Sequence, residues 1–150
     1  MVELQGILYT SPRNVIILDP LAKKVLGVDE ARKAEAIVIG GILGDNPPRG
    51  RTYQLLTSRA KLMQPRSLGP HQLSIDGAVY LALKAIEGVP PTEIPLVHRP
   101  RLSFKVGDLE FEVELPFSYP LVEGRPLISD EVKHLLVNGL GYEEYRELSS

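Results

Sequence analysis

The densest group of residues able to do chemistry is Gly40-Gly41-Ile42-Leu43-Gly44-Asp45, followed by Asn46-Pro47-Pro48-Arg49-Gly50-Arg51. Missing side chains at Gly40, Gly41 and Gly44 let a flat ring or a phosphate reach backbone N–H groups. A tight strand exit explains the same three glycines and is the simpler account of them alone. Asp45 and Asp76 each stand at the mouth of a loop, where a carboxylate can orient a cationic or hydroxyl-bearing ligand. The helix dipole accounts equally well for Asp76 in a first helical turn, and Asp19 before Pro20 is an ordinary turn former. Arg49 and Arg51 precede a helix start and suit an anion, although solvated loop arginines would look the same.

Several chemistries are excluded by what these loops lack. There is no GxGxxG opening a helix, no GxxxxGK[ST] and no GxSxG, so a dinucleotide fold, a P-loop and a hydrolase elbow are unsupported. With no cysteine there is no thiolate metal site, no disulfide framework and no cysteine nucleophile. His71, His98 and His134 are scattered and form no HExxH pair, so no metal is expected. No apolar run spans a bilayer and the first residues do not read as a signal peptide, which predicts a soluble, cytoplasmic protein. The 13 prolines and the absence of cysteine lean toward a heat-adapted source, many X-Pro turns being the plain alternative.

The net charge of −2 argues against a general nucleic-acid binder, but its distribution is uneven. Residues 46–75 hold no acid and carry Arg49, Arg51, Arg59, Lys61 and Arg66, with His71 able to add to them, whereas residues 108–150 are strongly acidic. Such asymmetry fits an anionic or polarised partner, and solvated faces that happen to differ fit it equally.

These residues need elements to hold them. The apolar runs over 14–18 and 34–39 predict strands buried on both faces, with a short helix between them starting near Val28 and Asp29 as its cap. A helix is expected over 52–62 and a short strand within 64–69. The strongest helix opens at Ser74-Ile75-Asp76, shows an apolar stripe of Ile75, Ala78, Val79, Ala82, Leu83 and Ile86, and stops at Gly88. Leu102–Leu115 predicts a hairpin turning at Gly107-Asp108 with one wet side. Its Phe104 and Phe111, with Phe117, are expected in the core rather than on a base-stacking platform. A last helix starts at Ser129, runs through about Val137 and is ended by Gly139 and Gly141. Residues 1–150 thus read as one α/β domain, mainly parallel with helices on both faces, plus an antiparallel hairpin. In such sheets ligands bind at the carboxyl ends of the strands, where residues 18–20, 40–51 and 68–74 form three irregular loops.

The segments Ile39–Thr52 and Leu68–Val79, together with Ile16–Pro20, Ile94–Pro100 and Leu115–Phe117, resemble a small branch of the SPOUT methyltransferase superfamily. That branch comprises the yeast-type ribosomal-protein arginine methyltransferase and its archaeal relatives, also described as RNA methyltransferases. The resemblance implies a C-terminal trefoil knot whose loops bind S-adenosylmethionine (SAM). Leu18, Asp19 and Pro20 would form the first wall, Gly41, Gly44 and Asp45 the second, and Leu68, Gly69, Leu73 and Ser74 the adenine-binding third. Asn46 and Gly50 depart from the branch, which has His and Asp there, and leave the acceptor less defined than the cofactor.

A sulfonium methyl is already electrophilic, so the enzyme mainly holds nucleophile, methyl and sulfur in line. A guanidinium acceptor calls for a carboxylate to orient it and take up the proton late, with Asp45 first and Asp76 second. For an RNA acceptor, Arg49, Arg51, Arg59 and Arg66 would meet phosphates. The expected function is methyl transfer from SAM to a ribosomal protein arginine or an RNA base, by a monomer or a homodimer. A non-catalytic SAM- or RNA-binding module with the same fold is the second reading.

Overall fold

The structure is a computed structural model that describes residues 14–40 and 63–140. Strand β1 (Val15–Leu18) is wholly apolar and wholly buried, and it lies between β2 (Ala36–Ile39) and β3 (Gln64–Arg66) in a parallel sheet. Leu18 is level with Ile39 on one side and with Arg66 on the other, so the three strands end together at one edge. The expected burial of the second strand is corrected. Ala36 is exposed and residues 37–39 are half-buried, because β2 is the outer strand among the described residues.

Helix α1 (Val28–Lys33) makes the crossover from β1 to β2. Its cap is Gly27 rather than Asp29. The extended backbone of Gly27 donates its N–H to the Glu30 carboxylate at 2.9 Å, which leaves Asp29 in the first turn. The helix expected over 52–62 lies outside the described residues.

Helix α2 (Ile75–Glu87) starts where Ser74 Oγ accepts the Gly77 N–H at 3.1 Å. It ends at Gly88, whose φ of 111° lets its N–H return to the Lys84 and Ala85 carbonyls. The expected apolar stripe is corrected. Ile75, Val79, Leu83 and Ile86 are exposed, Ala78 is half-buried, and the helix buries Gly77, Leu81, Ala82 and Ala85. Small residues allow close approach. A Cβ at Gly77 would stand 3.0 Å from Pro120 Cδ.

A 3-10 turn (Pro91–Glu93) leads to β4 (Leu96–His98). The hairpin β5 (Arg101–Val106) and β6 (Leu109–Glu114) turns at Gly107-Asp108, as the alternation predicts. Strands β7 (Ser118–Val122) and β8 (Arg125–Pro126) join β4 in an antiparallel sheet, β7 and β8 meeting at Glu123-Gly124 with positive φ at both positions. The last helix α3 (Asp130–Leu135) starts from Ser129 and continues as a π-helical turn over Leu136–Leu140, a few residues past Val137 and short of Gly141.

The architecture is therefore mixed α/β, and the mainly parallel expectation is corrected: three described strands are parallel and the rest antiparallel. One core joins Ile16 and Leu18 of β1 to Leu26, Ala31, Ala82 and Ala85. A second gathers Leu115, Tyr119 and Ile128, with Phe117 packed against it. Phe104 and Phe111 stack on the hairpin with ring centroids 5.8 Å apart.

Candidate functional site

The level strand ends bring two described turns and the start of a third to the same edge. After β1, Leu18 points into the core while Asp19 is buried, its Oδ1 accepting the Leu21 N–H at 2.9 Å. The Asp19 N–H donates to the Arg66 carbonyl at 2.8 Å, which ties this turn to the end of β3; Pro20 is exposed. Gly40 leaves β2 at the same edge. Gly41, Gly44, Asp45, Arg49, Arg51 and Arg59 lie outside the described residues.

After β3, Ser67 is held by backbone bonds to Lys24 and Leu26, and the chain opens into a cleft of about 290 Å³. Leu68, Gly69, Leu73, Pro91, Leu96 and His98 are among the residues that line it. Gly69 has φ of 125°, a conformation that favours glycine, and an added Cβ would meet nothing within 4 Å. Its backbone is therefore open to a ligand. The turn is pinned to β7, since Ser118 donates its N–H to the Gln72 carbonyl at 2.9 Å. The Gln72 side-chain oxygen Oε1 is buried and finds no hydrogen-bond partner among the described residues.

The fold also brings together a pair that the sequence analysis gave no joint role. The rings of His71 and His98 lie with centroids 4.0 Å apart, and His98 Nδ1 is 2.7 Å from Ser118 Oγ. Only the antiparallel β4 and β7 pairing sets His98 opposite Ser118, and no local sequence signal announces that pairing.

Other expected residues are placed elsewhere or serve the fold. Ser74 directs its hydroxyl oxygen to the α2 cap. Asp76 is exposed in the first turn of α2 and is not part of the cleft lining. Burial first, and then the charge of Asp76, push the Tyr119 phenol above its ordinary value. Arg66 donates from Nε to Glu30 Oε1 at 2.8 Å, from Nη1 to the Pro65 carbonyl and from Nη2 to Gln64 Oε1. The Arg66 hydrogen bond is the main reason the Glu30 carboxyl is held at about 2; burial opposes it, and the Gly27 N–H, the Arg66 charge and Lys24 add to it.

Among the described residues there is no group of three or more potential metal ligands, and no helix is long and apolar enough to cross a membrane.

Residues 3–143 match the family described as protein arginine N-methyltransferase SFM1-like. The chain is 34% identical over 125 residues to protein arginine N-methyltransferase SFM1 of Saccharomyces cerevisiae, covering 82% of this chain and 57% of that protein. The crystal structure of the yeast arginine methyltransferase SFM1 complexed with SAM is similar at a TM-score of 0.69 and 33% identity, over 82% of this chain and 55% of that one. Its complex with S-adenosylhomocysteine (SAH) gives a TM-score of 0.69 and 32% identity, over 83% and 62%. The chain thus spans less than two-thirds of the length of these relatives. A match over nearly its whole length, joined to a fold shared with them, places this chain in the SFM1-like protein arginine N-methyltransferase family.

Proposed function

We propose that the chain transfers a methyl group from SAM to an arginine of a ribosomal or other RNA-associated protein. The observation that carries this reading is the edge at which the turn after β1, the exit of β2 and the Leu68–Leu73 turn emerge together, with a cleft beside the third. The cleft fits a nucleoside. Its volume of about 290 Å³ is near the low end of small-molecule pockets, roughly 300–1,000 Å³. Leu68 and Leu73 offer apolar surface to an adenine, and Gly69 lets the ring approach the backbone.

In this reading Leu18, Asp19 and Pro20 form the first wall, Gly41, Gly44 and Asp45 the second, and Leu68, Gly69, Leu73 and Ser74 the third. The bound SAM supplies an electrophilic methyl, and the protein supplies alignment, which is worth several kcal/mol. Asp45 orients the acceptor guanidinium and takes up its proton late, with Asp76 second because its place in the first turn of α2 already accounts for it. The engagement of Arg66 with Glu30 leaves contacts to the acceptor's surroundings with Arg49, Arg51 and Arg59. We read residues 1–150 as one SPOUT-type domain with a C-terminal trefoil knot, acting in a reducing cytoplasm as a monomer or a homodimer, its lack of cysteine supporting that compartment.

Calorimetry with SAM and SAH tests the cofactor: a one-to-one binding heat is expected, and no heat with either ligand overturns the reading. Transfer of labelled methyl to ribosomal subunits tests the acceptor. Label in protein, acid-stable on arginine, is expected. Label in RNA would move the acceptor to a base, and binding without transfer would leave a SAM-binding module in which Asn46 and Gly50 mark the lost activity.

A further inference from the structure

We propose that the His71 imidazole is the surface on which the adenine of SAM stacks, and that His98, anchored by Ser118, holds it in place; the inference rests on the adenosine site proposed above. An adenine is a flat π-system with two broad faces, and a planar side chain laid against one of them adds affinity that branched apolar side chains do not. Leu68, Leu73, Pro91 and Leu96 give the cleft apolar surface, but none of them presents a planar ring. Among the described residues that line it, only His71 and His98 carry aromatic rings. Both residues are exposed, so their rings are open to a ligand rather than spent on filling a core.

Of the two rings, His71 belongs to the turn that also carries Leu68, Gly69 and Leu73, the residues given to the adenine. His98 stands on β4, where the pairing with β7 sets it level with Ser118. The two rings meet with centroids 4.0 Å apart and planes tilted by 42°.

Ser118 fixes this arrangement from both ends. It is buried, its Oγ lies 2.7 Å from His98 Nδ1, and its N–H donates to the Gln72 carbonyl at 2.9 Å. Gln72 follows His71 directly, so one serine steadies the His98 ring through its hydroxyl and the backbone beside His71 through its amide. The far end of β4 is held as well: Arg99 adopts φ of 49°, a left-handed conformation that persists only where the surroundings over-determine it, and its N–H donates to the Phe117 carbonyl at 3.0 Å. An ordinary exposed histidine would lose side-chain freedom on meeting a base. The His71 ring, braced by His98 and by its own backbone, has given up much of that freedom before the ligand arrives, and this preorganisation turns a surface ring into a binding surface.

The chain has no tryptophan, so His71→Trp installs a single fluorophore at the stacking position. SAH should quench its emission saturably, whereas S-ribosylhomocysteine, which lacks the base, should not; equal effects of the two, or bound SAH that quenches nothing, overturn the proposal. By calorimetry on the full chain, His71→Ala should weaken SAH binding about tenfold, toward the low end of what a base–aromatic stack contributes, and His71→Phe should return it to within about threefold of the parent. An alanine variant that binds SAH as the parent does, or a phenylalanine variant no better than alanine, overturns it. His98→Ala should weaken SAH binding several-fold in the parent and by less than about twofold in the His71→Ala background, because it acts through His71. Equal losses in the two backgrounds overturn the positioning role. A parent protein that binds no SAH defeats the adenosine site itself, an outcome distinct from a parent that binds SAH with an affinity the His71 variants leave unchanged.

Discussion

At the scale of single residues, the sharpest local constraint is Gly77. Replacing a helical glycine by alanine ordinarily stabilises by up to about 1 kcal/mol. Here the new Cβ would meet the buried ring of Pro120 at 3.0 Å and Ser74 Oγ at 3.1 Å, and a strand proline cannot swing aside. Overpacking of this kind costs about 1–3 kcal/mol. Gly77→Ala should therefore lower the midpoint of urea unfolding, and a raised midpoint would show that the contact relaxes. Glu30 makes a second constraint. Its carboxyl is held at about 2 against an ordinary 4.5, so the native state gains stability above 4.5 and loses it as pH falls from 4.5 toward 2. Glu30→Gln should destabilise at pH 7 by roughly 1–2 kcal/mol and match the parent near pH 2, read from melts across that range. A difference that persists unchanged into acid would mean that Arg66 contributes nothing electrostatic. Sequence made such residues visible only by type. Ser74 and Gly88 could be assigned as caps because capping is a local rule, whereas the Glu30–Arg66 and His98–Ser118 pairs depend on strands brought together from far apart.

Elements tell the same story through their faces. Periodicity located α2 and its ends, but the face richest in large apolar side chains is the exposed one. The helix instead approaches its neighbours with Gly77, Ala82 and Ala85 and sinks Leu81 completely, because close packing rewards small residues and shape rather than hydrophobicity summed along a stripe. Two leucines two positions apart should then behave oppositely. Leu81→Ala should cost about 2–5 kcal/mol and Leu83→Ala less than about 0.5 kcal/mol, measured by chemical unfolding. Equal losses would mean that the exposed face is covered in solution. The hairpin was legible because its alternation is strict and its turn glycine unambiguous. Strands β4, β7 and β8 were not, since Ser118–Val122 is interrupted by Pro120 and β8 is only two residues long. Such strands are defined by their partners and carry no period of their own.

For the whole molecule, the parallel strands and the loops at their carboxyl ends followed from β-branched runs closed by glycine and proline, and they account for the edge at which the cleft opens. The antiparallel sheet and the second core did not follow, because long-range pairing leaves little trace in local sequence. Family membership was legible from the Ile39–Thr52 segment, and the match over residues 3–143 supports it from nearly the whole chain. The central claim is that the edge shared by these loops receives the adenosine of SAM. A crystal structure of the chain grown with SAH tests it most directly. The account predicts the adenine against Leu68, Gly69 and Leu73, with the turn at Asp19 and Pro20 alongside; SAH bound away from that edge, or no SAH at saturating concentration, would contradict it.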